Sequence, residues 1–337
     1  MFYNAPSNHM SDSGSIVISL DAELAWGYHD LDRLPTERAR TARDSWMYLL
    51  DLFERWDLPS TWALVGQLFP EASAGRRETH PAGEEWFPDD LGDRHDRDSI
   101  WFGGDLIDAI LDSAVDHEIG SHSFSHVEFG NPETTPQIAE AELKHSREIA
   151  SEYGLAPTSF LFPRHSIGHR ELLRKYGFRC YRGVEPERWY HGTPVQKLGT
   201  VATGGLGMGG PPIVTPEVDE FGLVNIPASL PLFGYDGFPW PLFDAVAGNT
   251  VVRQLELGLN RLKDERDGVL HLWLHPNDIV TESDREQIRE ILSIVGTYRN
   301  RYDIPIETME AVTNRVRGNQ ASDRTKETHV EAANVDG

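Results

Sequence analysis

The strongest constraint on the fold is a short stretch near the start of the chain, Ile16-Val17-Ile18-Ser19-Leu20, which is followed at once by charge at Asp21 and Glu23. A continuous apolar run of this length is typical of a strand that is buried on both faces, as strands are in parallel sheets. Parallel strands need crossover connections, which are usually helices. The stretch therefore predicts an α/β fold that contains a fully buried parallel strand.

The rest of the chain alternates between short apolar runs and amphipathic segments. Further strands are predicted at residues 60–65, 117–120, 158–162, 179–182, 222–226, 268–274 and 303–306. A first helix begins at Pro35-Thr36, with Thr36 as a candidate N-cap, and others are predicted at residues 106–115, 134–153, 171–176, 244–265 and 283–298. About seven or eight strand–helix units favour a closed or nearly closed barrel, with an open doubly wound sheet as the alternative.

The chain is predicted to form one domain, residues 15–316, between a flexible N-terminus at 1–14 and a polar, disordered tail at 317–337. The N-terminus has neither the cationic nor the apolar region of a signal peptide. No apolar run approaches the length of a membrane span. These features predict a cytoplasmic protein; they do not predict an oligomeric state.

Residues 67–98 interrupt the alternation as a long excursion that is rich in acid, glycine, proline, histidine and tryptophan. The segment has no clean hydrophobic period, and connections of this length are usually functional or disordered. Trp86 and Phe87, with Trp101 just beyond, favour an ordered loop that faces a bound ligand.

The composition excludes one class of partner. The 337 residues carry a net charge of −23, and only five of the 31 basic residues are lysines. Abundant acid with few lysines favours adaptation to concentrated salt, where self-repulsion is screened, over an ordinary acidic protein. The same charge argues against nonspecific nucleic-acid binding, which needs a basic surface. Cys180 is the only cysteine, so it forms no intrachain disulfide, and it is predicted as a small core residue.

Two histidines, His122 and His126, lie four residues apart just after a predicted strand. If the segment forms a helix or helical turn entered through Gly120-Ser121, both imidazoles face one way and can reach one metal ion. The spacing is moderate support by itself, because a chain with 14 histidines produces some such pairs by chance.

Ionisable residues follow four separate predicted strands. They are Asp21 with Glu23, His122, Arg164 and His275. In a parallel barrel the C-terminal ends of the strands converge on one face, which carries the active site. A carboxylate and two histidines are a common catalytic metal set, because they leave positions open for water and substrate. The position of these residues therefore strengthens the hypothesis of a metal site.

Four motifs resemble those of the polysaccharide deacetylase family, the NodB-homology carbohydrate esterases. They are Ser19-Leu20-Asp21-Ala22-Glu23-Leu24-Ala25-Trp26-Gly27, His122-Ser123-Phe124-Ser125-His126, Phe162-Pro163-Arg164 and Leu274-His275-Pro276. The resemblance extends from about Ile16 to Val312, and the second motif is its most specific part. It implies a distorted (β/α) barrel of about seven parallel strands, a divalent metal ion that is usually zinc, and hydrolysis of an N-acetyl group on an amino sugar.

The resemblance also implies roles for individual residues. Glu23, His122 and His126 would bind the metal. Asp21 would be the general base, Arg164 would orient Asp21, and His275 would be the general acid. The first motif departs from the commoner pattern of two adjacent aspartates, because Ala22 stands in the second place and Glu23 follows it. The acidic partner of the catalytic histidine, which the family carries in a further motif, is not identifiable.

These residue types suit amide hydrolysis without reference to the family. The reaction needs an activated water, a polarised carbonyl and a protonated leaving amine, which a metal, Asp21 and His275 can supply. Trp86 and Trp240, in predicted loops, are candidates for stacking on a sugar ring.

Several of these residues could instead have a purely structural role. Asp21 could be a turn cap, Glu23 a surface acid and Arg164 a structural ion-pair partner. His165, His169 and His271 are interpreted as structural or surface residues. The alternative functions are an amidohydrolase acting on a small cyclic amide or imide, possible on the same scaffold, and a catalytically silent glycan-binding domain.

Overall fold

The computed structural model describes residues 14–69, 74–93, 96–186, 210–233 and 249–319. Most of the predicted flexible N-terminus and the predicted tail beyond residue 319 lie outside the described residues, so both stay predictions. Within the described part, residues 309–319 are helical and extend three residues past the predicted domain boundary at 316.

Ten strands form one sheet in the part of the chain that the structure describes. They are β1 (Ser15–Ala22), β2 (Thr61–Leu64), β3 (Glu118–Ser121), β4 (Ser159–Leu161), β5 (Cys180–Gly183), β6 (Glu217–Val218), β7 (Val224–Pro227), β8 (Leu230–Pro231), β9 (Val269–Leu274) and β10 (Ile306–Glu307). The order is β6-β7-β5-β4-β3-β2-β1-β9-β8, with β10 beside the start of β1. All pairs of these strands are parallel except β6 with β7.

The sheet curls into a distorted barrel because residues 224–231 change partners along their length. Their first half, β7, pairs with β5, and their second half, β8, pairs with β9. At the changeover, the Ala228 N–H donates to the Gly183 carbonyl at 3.0 Å and the Ser229 N–H donates to the His271 carbonyl at 2.9 Å. The predicted α/β fold, a distorted (β/α) barrel, is confirmed.

In the described part of the chain, helices cover the outside of the sheet, except the last, which closes one end of the barrel. They are α1 (Thr36–Trp56), α2 (Gly104–Leu111), α3 (Pro136–Glu152), α4 (Arg170–Lys175), α5 (Thr250–Leu262), α6 (Glu282–Tyr302) and α7, residues 309–319. The predicted start of the fifth helix at residue 244 lies outside the described residues. None of the described helices is long and apolar enough to cross a membrane.

Capping residues explain where several helices begin. The Thr135 side chain accepts the Ile138 N–H before α3, and Thr281 forms a reciprocal capping box with Asp284 at α6. The predicted N-cap role of Thr36 is wrong, because Thr36 is already the first helical residue and the preceding proline has no side-chain acceptor.

Alternation along β1 divides the core into two layers. Ile16 and Ile18 face outward and pack with the apolar faces of α1, α5 and α6. Val17 faces the barrel interior and packs with residues of β5, β7, β9 and α7. Ser19 and Asp21 follow Val17 on the same face, since side chains two residues apart point the same way. The barrel interior thus changes from apolar to polar toward the C-terminal ends of the strands.

The N-terminal end of the barrel is closed by α7. The Thr61 hydroxyl oxygen accepts the Met309 N–H at 3.0 Å, and the Glu118 carboxylate accepts the Glu310 N–H at 2.9 Å. Met309 and Val312 are fully buried in the interior layer. In the described part of the chain, α7 therefore covers the N-terminal end of the barrel interior.

The excursion after β2 is ordered over the residues that are described. Short 3₁₀ turns form at Ala74–Arg76 and Glu84–Trp86. Phe87 and Trp101 are buried and belong to the outer core layer. The excursion therefore packs against the barrel as part of the fold.

Candidate metal centre and active site

The loop after β3, residues 122–126, turns both histidines of the pair toward one point. Ser123 and His126 each adopt a left-handed backbone conformation with φ of 64°. The predicted helical turn is wrong, because the segment is not helical. The two imidazole rings of His122 and His126 nevertheless lie 5.1 Å apart between centroids. The left-handed conformations of Ser123 and His126, and not a helical turn, therefore bring the two imidazole rings together.

Glu23, which follows β1, completes a group of three buried side chains with these histidines. Its Oε2 lies 3.1 Å from His126 Nε2 and 3.4 Å from His122 Nε2. One ligand atom from each residue lies within 4.8 Å of the others. Gly27 leaves room for this arrangement, because a Cβ at that position would lie 2.0 Å from Glu23 Oε1.

The hydrogen bonding of this group leaves two acceptor atoms facing each other. His122 Nδ1 lies 2.9 Å from the Leu161 carbonyl oxygen, so Nδ1 carries the proton and Nε2 carries a lone pair. That lone pair faces Glu23 Oε2, and neither atom has a hydrogen-bond partner among the described residues. Two such acceptors repel each other unless a proton or a cation lies between them. One carboxylate oxygen and two imidazole nitrogens fit a divalent cation such as zinc, with positions left for water and substrate.

The charge on Glu23 also suits a cation. Burial raises the pKa of the Glu23 carboxyl, but His275 and His126 outweigh burial and hold this pKa well below its ordinary value. The group is therefore an ionised carboxylate at neutral pH, and it is almost fully removed from water.

Asp21, on the interior face of β1, is a buried carboxylate paired with Arg182 of β5. Arg182 Nη2 donates to Asp21 Oδ2 at 2.6 Å. Burial raises the pKa of Asp21, but the Arg182 guanidinium and nearby histidines hold it well below its ordinary value. The second oxygen, Oδ1, has no hydrogen-bond partner in the described part of the chain. Asp21 thus presents a charged oxygen that is free to accept a proton.

Arg164 does not orient Asp21, so this prediction is wrong. Its backbone turns with a left-handed φ of 50° three residues after β4, and its side chain lies at the rim of the barrel. The guanidinium donates to the Asp30 carboxylate at 2.5 and 2.7 Å and to Glu128 at 2.8 Å. Arg182 occupies the place beside Asp21 that was expected for Arg164.

His275, directly after β9, lies across from Asp21 with its Nε2 3.5 Å from Asp21 Oδ2. Its Nδ1 lies 3.0 Å from Asp278 Oδ2, and Arg38 Nη2 donates to the other Asp278 oxygen at 2.7 Å. Burial lowers the pKa of His275, but the carboxylates of Asp278, Glu23 and Asp21 raise it to about 10. Asp278 is therefore the acidic partner that the sequence did not reveal.

These groups open into one cleft of about 370 Å³ at the C-terminal ends of the strands. Asp21, Glu23, His126 and His275 all line it. A larger groove of about 800 Å³ between α1 and α2 has no histidine among its described lining residues. The smaller cleft is therefore the candidate active site.

Aromatic side chains form much of the remaining cleft wall. They are Tyr28, His165, Phe233 and Trp273. The Arg182 guanidinium lies 5.0 Å from the Trp273 ring centre, and the His165 and Trp273 rings meet edge to face. Trp86 instead donates its indole N–H to the Ser125 hydroxyl and does not line the described cleft, while Trp240 lies outside the described residues.

Sequence reasoning missed three residues at the site, Arg182, Asp278 and His165, of which the first two carry recognisable signals. Arg182 is a charged residue inside an otherwise apolar strand, two positions from Cys180 and therefore on the same interior face. Asp278 is the third residue after His275 in a proline-initiated turn, the spacing of a capping box. His165, predicted to be structural or superficial, reaches the cleft through a left-handed turn that the sequence does not announce.

Comparisons with known proteins give similarity in structure only. No family model and no curated protein matches the sequence. A protein of Mycobacterium smegmatis assigned as a polysaccharide deacetylase is 16% identical, with a TM-score of 0.57 over 94% of this chain and 93% of that one. A Pseudomonas aeruginosa PAO1 protein with the same assignment is 15% identical, with a TM-score of 0.52 over 90% and 91%. An allantoinase, Puue, is 13% identical, with a TM-score of 0.54 over 93% of both chains. At these identities the chain shares their fold, which is the NodB-like barrel that the sequence motifs predict.

Proposed function

We propose that the protein is a metal-dependent hydrolase that removes N-acetyl groups from an amino-sugar-containing glycan or glycan precursor. One observation carries the proposal: the lone pair of His122 faces the ionised Glu23 carboxylate inside a cleft that also holds Asp21 and His275. A divalent cation, usually zinc with such ligands, would be held by Glu23, His122 and His126.

The remaining residues divide the chemistry of amide hydrolysis between them. When bound, the cation would acidify a water molecule and polarise the amide carbonyl. Asp21, which Arg182 keeps charged, accepts the proton of the attacking water through its unpartnered Oδ1. His275, which Asp278 keeps protonated, donates a proton to the leaving nitrogen.

An acetylated amino sugar is the favoured substrate class because three features support it. The motifs at Asp21, His122 and His275 resemble those of polysaccharide deacetylases. The fold is shared with structures assigned to that activity. Aromatic rings in the cleft wall, Tyr28 and Trp273, offer surfaces on which a sugar ring can pack.

The second candidate function is hydrolysis of a small cyclic amide or imide. The described cleft, at about 370 Å³, is near the lower end of small-molecule pockets. The shared fold of the allantoinase is consistent with this alternative. Assays of acetylated sugars and of cyclic amides in parallel distinguish the two functions.

Elemental analysis of the purified protein, followed by chelation and reconstitution, tests the proposed metal centre. We expect stoichiometric divalent metal in the wild type and its loss in His122→Ala. His117→Ala is the matched control, because His117 lies before β3 and contacts the Ser60 hydroxyl instead of this centre. Full activity after complete metal removal would show that the mechanism is wrong.

A further inference from the structure

The metal-binding loop is held by a buried carboxylate that belongs to none of the catalytic motifs. Glu142, on α3, has no exposed surface. Its Oε2 accepts the backbone N–H groups of Phe124 and Ser125, each at 2.8 Å, and its Oε1 accepts the Ser125 hydroxyl. These two residues lie between His122 and His126, so one side chain fixes the backbone that separates the two histidines.

The excursion surrounds this carboxylate from the other side. His80 Nδ1 accepts the Ala82 N–H at 3.2 Å, so the ring proton is on Nε2, which lies 3.2 Å from Glu142 Oε1. Trp86 donates its indole N–H to the Ser125 hydroxyl at 2.9 Å. Burial raises the pKa of Glu142, but His80 and Ser125 hold it below its ordinary value, so the group is a charged acceptor.

The loop has backbone strain that such an acceptor can offset. Ser123 and His126 are both left-handed, at about 1–3 kcal/mol each for residues other than glycine. The opposite edge of the loop is held by backbone donors, Gly66 N–H to the Ser123 carbonyl at 2.9 Å and Gln67 N–H to the Phe124 carbonyl at 3.0 Å. On the α3 side, the contacts to the loop backbone come from Glu142.

We propose that Glu142 is a positioning residue for the metal centre: its carboxylate holds the loop of residues 122–126 in the strained conformation that aims His122 and His126 at Glu23. His80, beside Glu142, and Trp86, which donates to Ser125, add contacts from the excursion to the same loop support. The metal-affinity consequence rests on the proposed function, whereas the loop conformation does not. Partners that orient metal ligands typically change metal affinity about 10–100-fold when they are replaced.

Glu142→Gln tests the proposal with two readouts. In metal-free protein, we expect faster amide hydrogen exchange at residues 122–126, because the amide side chain replaces one acceptor oxygen with a donor. In a competition titration with a chromophoric chelator and zinc, we expect the Kd to rise about 10–100-fold. Glu118→Gln is the matched control: it is also a buried glutamate that accepts a backbone N–H, but at the other end of the barrel, and it should change neither readout.

The outcomes separate this proposal from the proposed function. If the wild type binds no zinc, the metal-dependent function fails, and hydrogen exchange alone decides the role of Glu142. If Glu142→Gln is folded and matches the wild type in both readouts, the positioning role is overturned. If Glu142→Gln does not fold, Ser125→Ala replaces it, because it removes one of the three hydrogen bonds; unchanged exchange and affinity in that variant would overturn the proposal equally.

Discussion

Strand β3 has a buried ionisable residue at each end, and the two surroundings differ in how completely their polar atoms are paired. At the N-terminal end, Glu118 accepts hydrogen bonds from two hydroxyl groups and one backbone N–H, so both of its oxygens are paired. At the C-terminal end, His122 Nε2 faces Glu23 Oε2, and neither atom has a partner in the described chain.

The difference distinguishes a carboxylate whose two oxygens are both paired, Glu118, from one that keeps an unpaired oxygen, Glu23. A buried polar atom without a partner costs about 1–3 kcal/mol, and the unpaired atoms at the open end therefore support the proposed cation between Glu23 and His122. Burial raises the pKa of Glu118, whereas neighbouring histidines outweigh burial and lower the pKa of Glu23. Glu118 is therefore fully hydrogen-bonded at one end of the barrel, whereas Glu23 is a charged carboxylate with an unpaired oxygen at the other.

The largest effect on activity is expected for Asp21→Asn, at the C-terminal end of the barrel. We expect kcat/KM to fall about 10²–10⁴-fold, because the amide cannot accept the proton that Oδ1 is placed to take. Metal content should be unchanged, since the ligand set is intact. Initial rates on the substrate identified by the amide panel, with metal analysis of the same sample, measure both quantities.

A second arginine–aspartate pair, which is partly buried, provides the control for that variant. Arg170 donates to Asp219 at 2.8 Å near the β6 edge of the sheet, outside the cleft. Asp219→Asn should reduce stability and leave kcat/KM within about twofold, in keeping with a carboxylate that contacts no reacting group. Unchanged turnover in Asp21→Asn would remove Asp21 from the role of base.

Much of the architecture followed from local patterns in the sequence. Apolar runs and helical periodicity located the strands and helices, because buried parallel strands and amphipathic helices each have a distinct spacing. The positions of Asp21, Glu23, His122 and His275 after strands predicted that they would meet, and they all contribute to one centre.

The errors at the site arise from contacts that sequence spacing does not encode. Arg164 follows a strand as the pattern requires, but a left-handed turn takes it to Asp30, and Arg182 reaches Asp21 from 161 positions away. Glu142 looks like any polar residue of an amphipathic helix, and only the packing of α3 against the loop shows that it is fully buried. The left-handed backbone at Arg164 and the burial of Glu142 both depend on tertiary contacts, so the sequence alone reveals neither.

A smaller effect is expected from the protonation of His275, which the neighbouring carboxylates of Asp278, Glu23 and Asp21 favour. In metal-free protein the pKa of His275 is raised from an ordinary 6.5 to about 10, with Asp278 the largest influence that raises it. Because the folded-state pKa is the higher one, the stabilisation is fully present below about pH 6.5 and is lost as the pH rises through about 10. NMR titration of the His275 ring and urea unfolding between these pH values measure the two quantities.

Asp278→Asn sharpens this prediction, because it removes one charge without changing the shape of the side chain. We expect the His275 pKa to fall toward its ordinary value and the loss of stability to shift to lower pH. His275→Gln should abolish that part of the pH dependence. Titration of His275 at its ordinary value in the metal-free wild type would contradict the proposed charge coupling.

The smallest effect is expected at the paired end, with Glu118→Gln. The carboxylate accepts the Thr61 hydroxyl at 2.8 Å and the Glu310 N–H at 2.9 Å, and replacing one oxygen by an NH₂ group puts a donor against a donor. We expect the free energy of unfolding to fall by about 1–3 kcal/mol in urea denaturation. Turnover should stay within about twofold, because no Glu118 atom reaches the cleft. A large loss of turnover with stability preserved would show that the two ends of β3 are coupled and that complete pairing does not mark a purely structural carboxylate.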